Sequence, residues 1–182
     1  MPFNKGLPQP ILDALHKIEP GAEFTQNGNQ VHSKTSNRSY FVKLGTVHET
    51  EQYIGEAESL RAMYAACPGI CPKLFQCSVD EKTRNSIFVS EYKKIGALGK
   101  TEAAELGRML ADMHLNGKSS SGKFGFEIPT FCGATRMNNG WFDTWEEAYD
   151  QKIAELLETL ESRRGYQELC ELGNKLRETC VP

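Results

Sequence analysis

Lys43 closes an alternating run, "SYFVK", and Glu56 follows thirteen residues later inside a stretch of helical pattern. An ammonium at a strand end is a point charge suited to holding phosphate oxygens, and a carboxylate on a neighbouring helix can orient it. Taken singly, the same residues read as a snorkelling strand-end lysine and a solvated helix face. The order of the elements around them has to separate an ion pair in a nucleotide site from two unrelated surface charges.

That order begins with "PILDALHKI", which places Ile11, Leu12, Leu15 and Ile18 at helical spacing before Pro20 and Gly21 close the helix. Residues 22–44 read as three short extended pieces, separated by turn chemistry at 27–29 and 36–38. Helical spacing returns over 49–66 through Ile54, Ala57, Leu60 and Tyr64, and "CPGICP" stops it. "LFQCSVD" and "SIFVSEY" then read as two strands around a polar turn. After a connector at 95–100 comes a helix over 101–117, with Thr101 as N-cap, a face of Leu106, Met109, Leu110 and Met113, and Gly117 past its end. Thr144 and Glu147 form a capping box for a further helix, whose expected buried stripe is Trp145, Tyr149, Ile153, Leu156 and Leu160. A last helix starts at Tyr166 and runs nearly to the end of the chain.

Three strands, a helix bearing a glutamate, two strands, a connector and then helices is the order of an α+β, protein-kinase-like fold. Residues 1–94 would form a nucleotide-binding small lobe, a five-stranded antiparallel sheet plus helix. Residues 95–182 would be the hinge and the first helices of the helical lobe. In this frame Lys43 holds the phosphates of a nucleotide and Glu56 orients it, which favours the paired reading over the two solitary ones.

Composition agrees with a small-ligand protein. The 182 residues are 39% hydrophobic and 25% charged, with 21 basic against 24 acidic side chains and a net charge of -3. Nothing in that balance calls for nucleic acid or an anionic membrane, and no apolar run approaches the roughly 20 residues of a membrane span. With no signal-peptide pattern in "MPFNKGLPQP", a cytoplasmic location is expected. The six cysteines are scattered, which favours reduced thiols over a disulfide framework. Cys67, Cys71 and Cys77 cluster without a second pair or a nearby histidine, so they read as loop packing and no metal site is expected.

The stretches "SYFVKLG", "IGEAESLRAM", "CPGICPKLF", "FVSEY", "AAELGRMLADMHLNG", "GKFGFEIPTFCG" and "NNGWFDTWEEAY" resemble the fructosamine-3-kinase family, also described as ketosamine-3-kinases or protein-ribulosamine 3-kinases. The resemblance runs over roughly residues 20–165. It implies transfer of a phosphoryl group from ATP, with Mg, to the 3-hydroxyl of a ketosamine sugar carried on a small amine or a glycated protein, a step in deglycation. On it, Lys43 and Glu56 match the family's lysine and helix glutamate. The backbone of Glu91, Tyr92 and Lys93 would pair with the adenine edge, and Gly28 lies in the nucleotide loop. Asn139 and Trp141 would face the acceptor, Trp145 would be core, and Phe124 and Phe126 would pack. His114 would serve the junction of the lobes structurally.

Two departures stand out. The family's nucleotide loop is glycine-rich, because close approach of backbone N–H groups to phosphate favours residues without a Cβ; "EFTQNGNQV" offers only Gly28. The family's base and magnesium ligands lie in an "HGD" loop and a later "DP" motif, and none of His16, His32, His48 and His114 begins such a loop. No catalytic residue is therefore expected among these 182. The enzyme class predicts a ketosamine kinase whose catalytic loop lies beyond Pro182, with these residues inactive alone. The binding class predicts a noncatalytic kinase-like fragment or pseudokinase that holds a nucleotide or a partner.

Overall fold

A computed structural model describes residues 6–163 and 165–180, without the side chain of Cys180. The Cys180 thiol and Pro182 therefore lie outside the described residues. The chain forms two compact units, one up to Gly117 and one from Lys118 onward.

In the first unit, α1 (Gln9–Ile18) precedes β1 (Phe24–Asn27), β2 (Gln30–Ser33) and β3 (Ser39–Gly45). A short 3-10 turn leads into α2 (Thr50–Ala66), followed by β4 (Leu74–Val79), β5 (Ser86–Glu91) and α3 (Lys100–Asn116). The strands make one antiparallel sheet in the order β1-β2-β3-β5-β4. Side chains alternate across a strand, so β3 sends Tyr40 and Val42 to one face and Phe41 and Lys43 to the other. On the first face Tyr40, Val42, Val31, Ile87 and Val89 form a buried core with Ile11, Ala14 and Leu15 of α1. On the second, Phe88 packs with Tyr53 and Ala57 of α2. The sheet is thus covered on both faces, which explains why every residue of β5 except Glu91 is buried.

α2 presents Tyr53 and Ala57 to the sheet, with Leu60 packed against them, while Ile54 remains 43% exposed. Of the expected stripe, Ala57 and Leu60 pack at Phe88, and Tyr53 takes the place expected of Ile54. α3 begins at Lys100 behind Gly99 with no side-chain cap, so Thr101 lies inside the helix rather than at its cap.

In the second unit β6 (Phe124–Gly125) pairs with β9 (Trp141–Phe142), and β7 (Thr130–Cys132) pairs with β8 (Thr135–Met137). A Cβ on Gly125 would lie 1.6 Å from the Gly140 carbonyl oxygen, so the β6–β9 crossing requires glycine there. α4 (Trp145–Glu161) starts with Thr144 as the expected N-cap, the Glu147 N–H donating to Thr144 Oγ1, but the Glu147 carboxylate accepts from the Asp143 N–H rather than closing the box on Thr144. It packs on α5 (Gln167–Cys180), and Arg177 on α5 donates to both carboxylate oxygens of Asp150 at 2.7 and 2.8 Å.

The buried residues of α4 are Ala148 and Leu157, whereas Trp145 is 55% exposed and stacks on exposed Tyr149. The expected stripe, with Trp145 as core, is wrong in phase. Leu157 is the residue that meets α5, against Gly173, where a Cβ would come within 2.5 Å of it. Phe124, expected to pack, is also exposed.

Candidate functional site

The second face of the sheet brings together the two charges singled out by spacing. Lys43, one pair of residues from the end of β3, lies opposite Phe88 in the ladder with β5. Glu56 sits on the side of α2 that faces it, and the Lys43 ammonium donates to Glu56 Oε2. The side chains are 23% and 39% exposed, so the pair is partly open to solvent rather than buried. A charge held in place yet still reachable can meet an incoming anion, which a sealed pair could not do. Near the N-terminus of α2, Glu49 accepts from the N–H and Oγ1 of Thr46. Those two bonds, more than any charge, hold its carboxyl below the usual range. Burial pushes the Tyr53 phenol up, with Glu49 and Glu56 adding to the effect.

At the end of β5, the Glu91 N–H donates to the Lys73 carbonyl at 2.8 Å and the Tyr92 N–H to the Ser39 carbonyl at 3.2 Å. Two of the backbone donors expected to face adenine are thus engaged by strand neighbours. Burial alone would raise the Glu91 carboxyl, but Lys93, 2.7 Å away, and the Lys73 N–H outweigh it and hold it low.

Gly28 occupies a two-residue hairpin turn between β1 and β2 with φ +57°, a conformation that glycine adopts without strain. The Gly28 carbonyl accepts from the Gln26 side chain and the Asn29 carbonyl from the Val42 N–H. The turn is a tight corner of the sheet and lacks the length of a loop that could wrap phosphates.

In the second unit Asn139 is engaged within its own loop. Its Nδ2 donates to the Ile128 carbonyl at 2.8 Å and to Thr130 Oγ1 at 2.9 Å, while its Oδ1 accepts from Lys152 Nζ at 2.6 Å. The amide therefore pins residues 128–139 to α4. Trp141 is half-buried in β9. Among the described residues no group of three or more His, Cys, Asp or Glu could hold a metal ion, and no helix is long and apolar enough to cross a membrane.

A sequence model of the fructosamine kinase family matches residues 16–180. The chain belongs to the fructosamine kinase family. Within curated proteins it is 32% identical over 152 residues to the protein-ribulosamine 3-kinase, chloroplastic, of Arabidopsis thaliana, covering 83% of this chain and 46% of that one. To the ketosamine-3-kinase of Mus musculus it is 29% identical over 167 residues, covering 79% of this chain and 53% of the relative. The chain spans about half the length of the curated relatives it matches. A Haemophilus somnus protein assigned as a fructosamine-3-kinase has a crystal structure that superposes with a TM-score of 0.60 at 13% identity, over 88% of this chain and 56% of that one. The family's protein-kinase-like architecture accounts for the five-stranded antiparallel sheet with α2 across it.

The residue that sequence reading missed is Tyr53. It is 8% exposed and lies one helical turn before Glu56 on the same side of α2. An aromatic three residues ahead of the helix glutamate was the available signal.

Proposed function

We propose that this chain is the nucleotide-binding part of an ATP-dependent ketosamine kinase of the fructosamine/ribulosamine type, which phosphorylates the 3-hydroxyl of ketosamine sugars on small amines or glycated proteins. Family membership supports the reaction class. The observation that carries the nucleotide reading is the partly open Lys43–Glu56 pair across β3 and α2, with Lys43 opposite Phe88 of β5. Lys43 would neutralise phosphate oxygens as charge shifts in transfer, with Glu56 fixing its direction. Adenine would use the carbonyls of residues 91–93 and the Lys93 N–H, since the N–H groups of Glu91 and Tyr92 are engaged. With so short a turn at Gly28, the charge of Lys43 would carry most of the hold on phosphate.

On the acceptor side Trp141 would supply a wall, and Asn139 would act by holding its loop in place. ATP fits the groups present; magnesium does not, as no acidic cluster among the described residues could ligate it. The base and the metal ligands that the family carries in its "HGD" and "DP" motifs are not among these 182 residues, so they should show no turnover by themselves. We place the protein in the cytoplasm on its scattered cysteines; imaging of a tagged protein against plastid and cytosolic markers tests that.

The decisive experiment is calorimetric titration of residues 1–182 with an ATP analogue, alongside a kinase assay on fructoselysine in a chain that also carries the two later motifs. Binding that Lys43→Met weakens at least tenfold, and phosphate transfer only in the longer chain, are expected. Nucleotide binding that ignores Lys43, or transfer by 1–182 alone, would sink this reading.

A further inference from the structure

The Lys43 ammonium has neighbours of a second kind. It lies over three aromatic rings, 4.6 Å from the centroid of Phe88, 4.9 Å from Tyr53 and 6.0 Å from Phe41. Phe88 and Phe41 belong to the sheet, as the cross-strand partner of Lys43 and the residue two positions before it on the same face. Tyr53 belongs to α2, the helix that also carries Glu56.

The surroundings of Tyr53 are shaped to its ring. At Gly45 a Cβ would lie 2.7 Å from the ring Cζ, 3.0 Å from the hydroxyl and 3.1 Å from Cε2, so this glycine leaves the space that the ring fills. Phe88 braces the ring edge to face, with centroids 6.2 Å apart and an interplanar angle of 81°. The Cys77 thiol donates to the Tyr53 carbonyl at 3.6 Å. That bond fixes the backbone of Tyr53, while Gly45 and Phe88 bound its ring.

We propose that Tyr53 is a positioning residue for Lys43: its ring, seated in the gap at Gly45, holds the ammonium beside Glu56, so that two of the lysine's partners ride on α2. The two hold it differently. A carboxylate neutralises the charge and competes with a phosphate for it, whereas a ring face attracts the ammonium through its quadrupole and leaves the full charge available. When phosphate oxygens draw the ammonium from Glu56, the rings keep it in place. The purpose of this arrangement rests on the nucleotide reading above; its geometry does not.

The test uses residues 1–182 with Tyr53→Leu, Tyr53→Phe and Gly45→Ala, each with Lys43 present and with Lys43→Met. In the parent chain the Lys43 ε-methylene protons should be shifted upfield by ring current. Tyr53→Phe should keep that shift, and Tyr53→Leu and Gly45→Ala should reduce it. In urea unfolding, Tyr53→Leu should raise the unfolding constant about three- to tenfold more with Lys43 present than with Lys43→Met.

Equal costs in both backgrounds would make Tyr53 plain core and overturn the proposal. Should Tyr53→Leu fail to fold, Gly45→Ala decides: ring signals that move while the Lys43 protons stay put also overturn it. Titration with ATP and adenosine separates this from the nucleotide reading. If the parent chain binds neither, that reading fails while the ring-current and unfolding results still decide Tyr53. If it binds both, Tyr53→Leu should weaken ATP at least threefold more than adenosine, and equal weakening counts against a positioning role.

Discussion

The face of the sheet under α1 and the face under α2 each hold a glutamate tied across elements, and the ties differ in kind. Glu19, just past α1, accepts hydrogen bonds from Ser33 and Ser36 at 2.6 Å each and from the Tyr40 hydroxyl. Burial works against its charge, but the three hydroxyls and then Arg38 overcome it and hold the carboxyl below its ordinary value of 4.5. Glu56 has the Lys43 ammonium and an open side. The first arrangement spends its acceptor capacity on neutral donors from β2, the following turn and β3, and serves stability. The second leaves charge within reach of solvent, as the proposed role of Lys43 at a phosphate requires.

The sharpest way to break this contrast is to cut the α1 core. Leu15→Ala should cost about 2 to 5 kcal/mol in urea unfolding, because Leu15 is fully buried between α1 and the sheet. A loss under 1 kcal/mol would mean that α1 is not the stabilising cover.

Glu19→Gln should come next, at about 1 to 3 kcal/mol, since it strands at least one hydroxyl donor. It carries a signature in pH. A carboxyl whose folded pKa lies below its unfolded value stabilises above the unfolded value, and that contribution is lost as pH falls through the folded one. The parent chain should therefore lose stability on acidification below pH 4.5, and Glu19→Gln should flatten that limb. At the other end, burial and then Glu19 push the Tyr40 phenol up to about 12. Its contribution is complete below the ordinary phenol value of 10.0 and disappears as pH rises through about 12, which absorbance titration of tyrosinate can follow.

A smaller effect is expected on the other face. A double-mutant cycle of Lys43→Met and Glu56→Gln should give coupling of about 1 kcal/mol, nearer the value for exposed pairs than the 3 to 5 kcal/mol of a sealed one. Coupling at the upper figure would show the pair to be closed off and would weaken the contrast with Glu19. Ile54→Ser should change stability by about 0.5 kcal/mol or less, because Ile54 faces away from the sheet.

Much of the first unit was legible in the sequence for physical reasons. Alternation in "SYFVK" and turn residues at 27–29 and 36–38 are local signals, and the pairing of Lys43 with Glu56 follows once the element order is known. The start of the α2 stripe was not legible: Ala57 and Leu60 face Phe88 as expected, but Tyr53 joins them where the more apolar Ile54 was expected, because a ring edge fits against Phe88. Trp145 is a similar case. Two helical phases one residue apart fit the apolar pattern of α4, and the choice between them is made by Gly173 receiving Leu157 from another helix. The engagement of Asn139 by Lys152, thirteen residues on, likewise depends on a loop closing over α4 and leaves no local mark.

The gap at Gly45 bears on how the family can vary. Because a Cβ there would run into the Tyr53 ring, neither position can change freely while its partner stays fixed. Relatives with a larger residue at the place of Gly45 should carry something shorter than tyrosine at the place of Tyr53, and those that keep tyrosine should keep glycine. A lineage would cross between these two states through an intermediate with either a displaced ring or an unfilled gap, so the two positions should be inherited as a pair even though they lie on different elements.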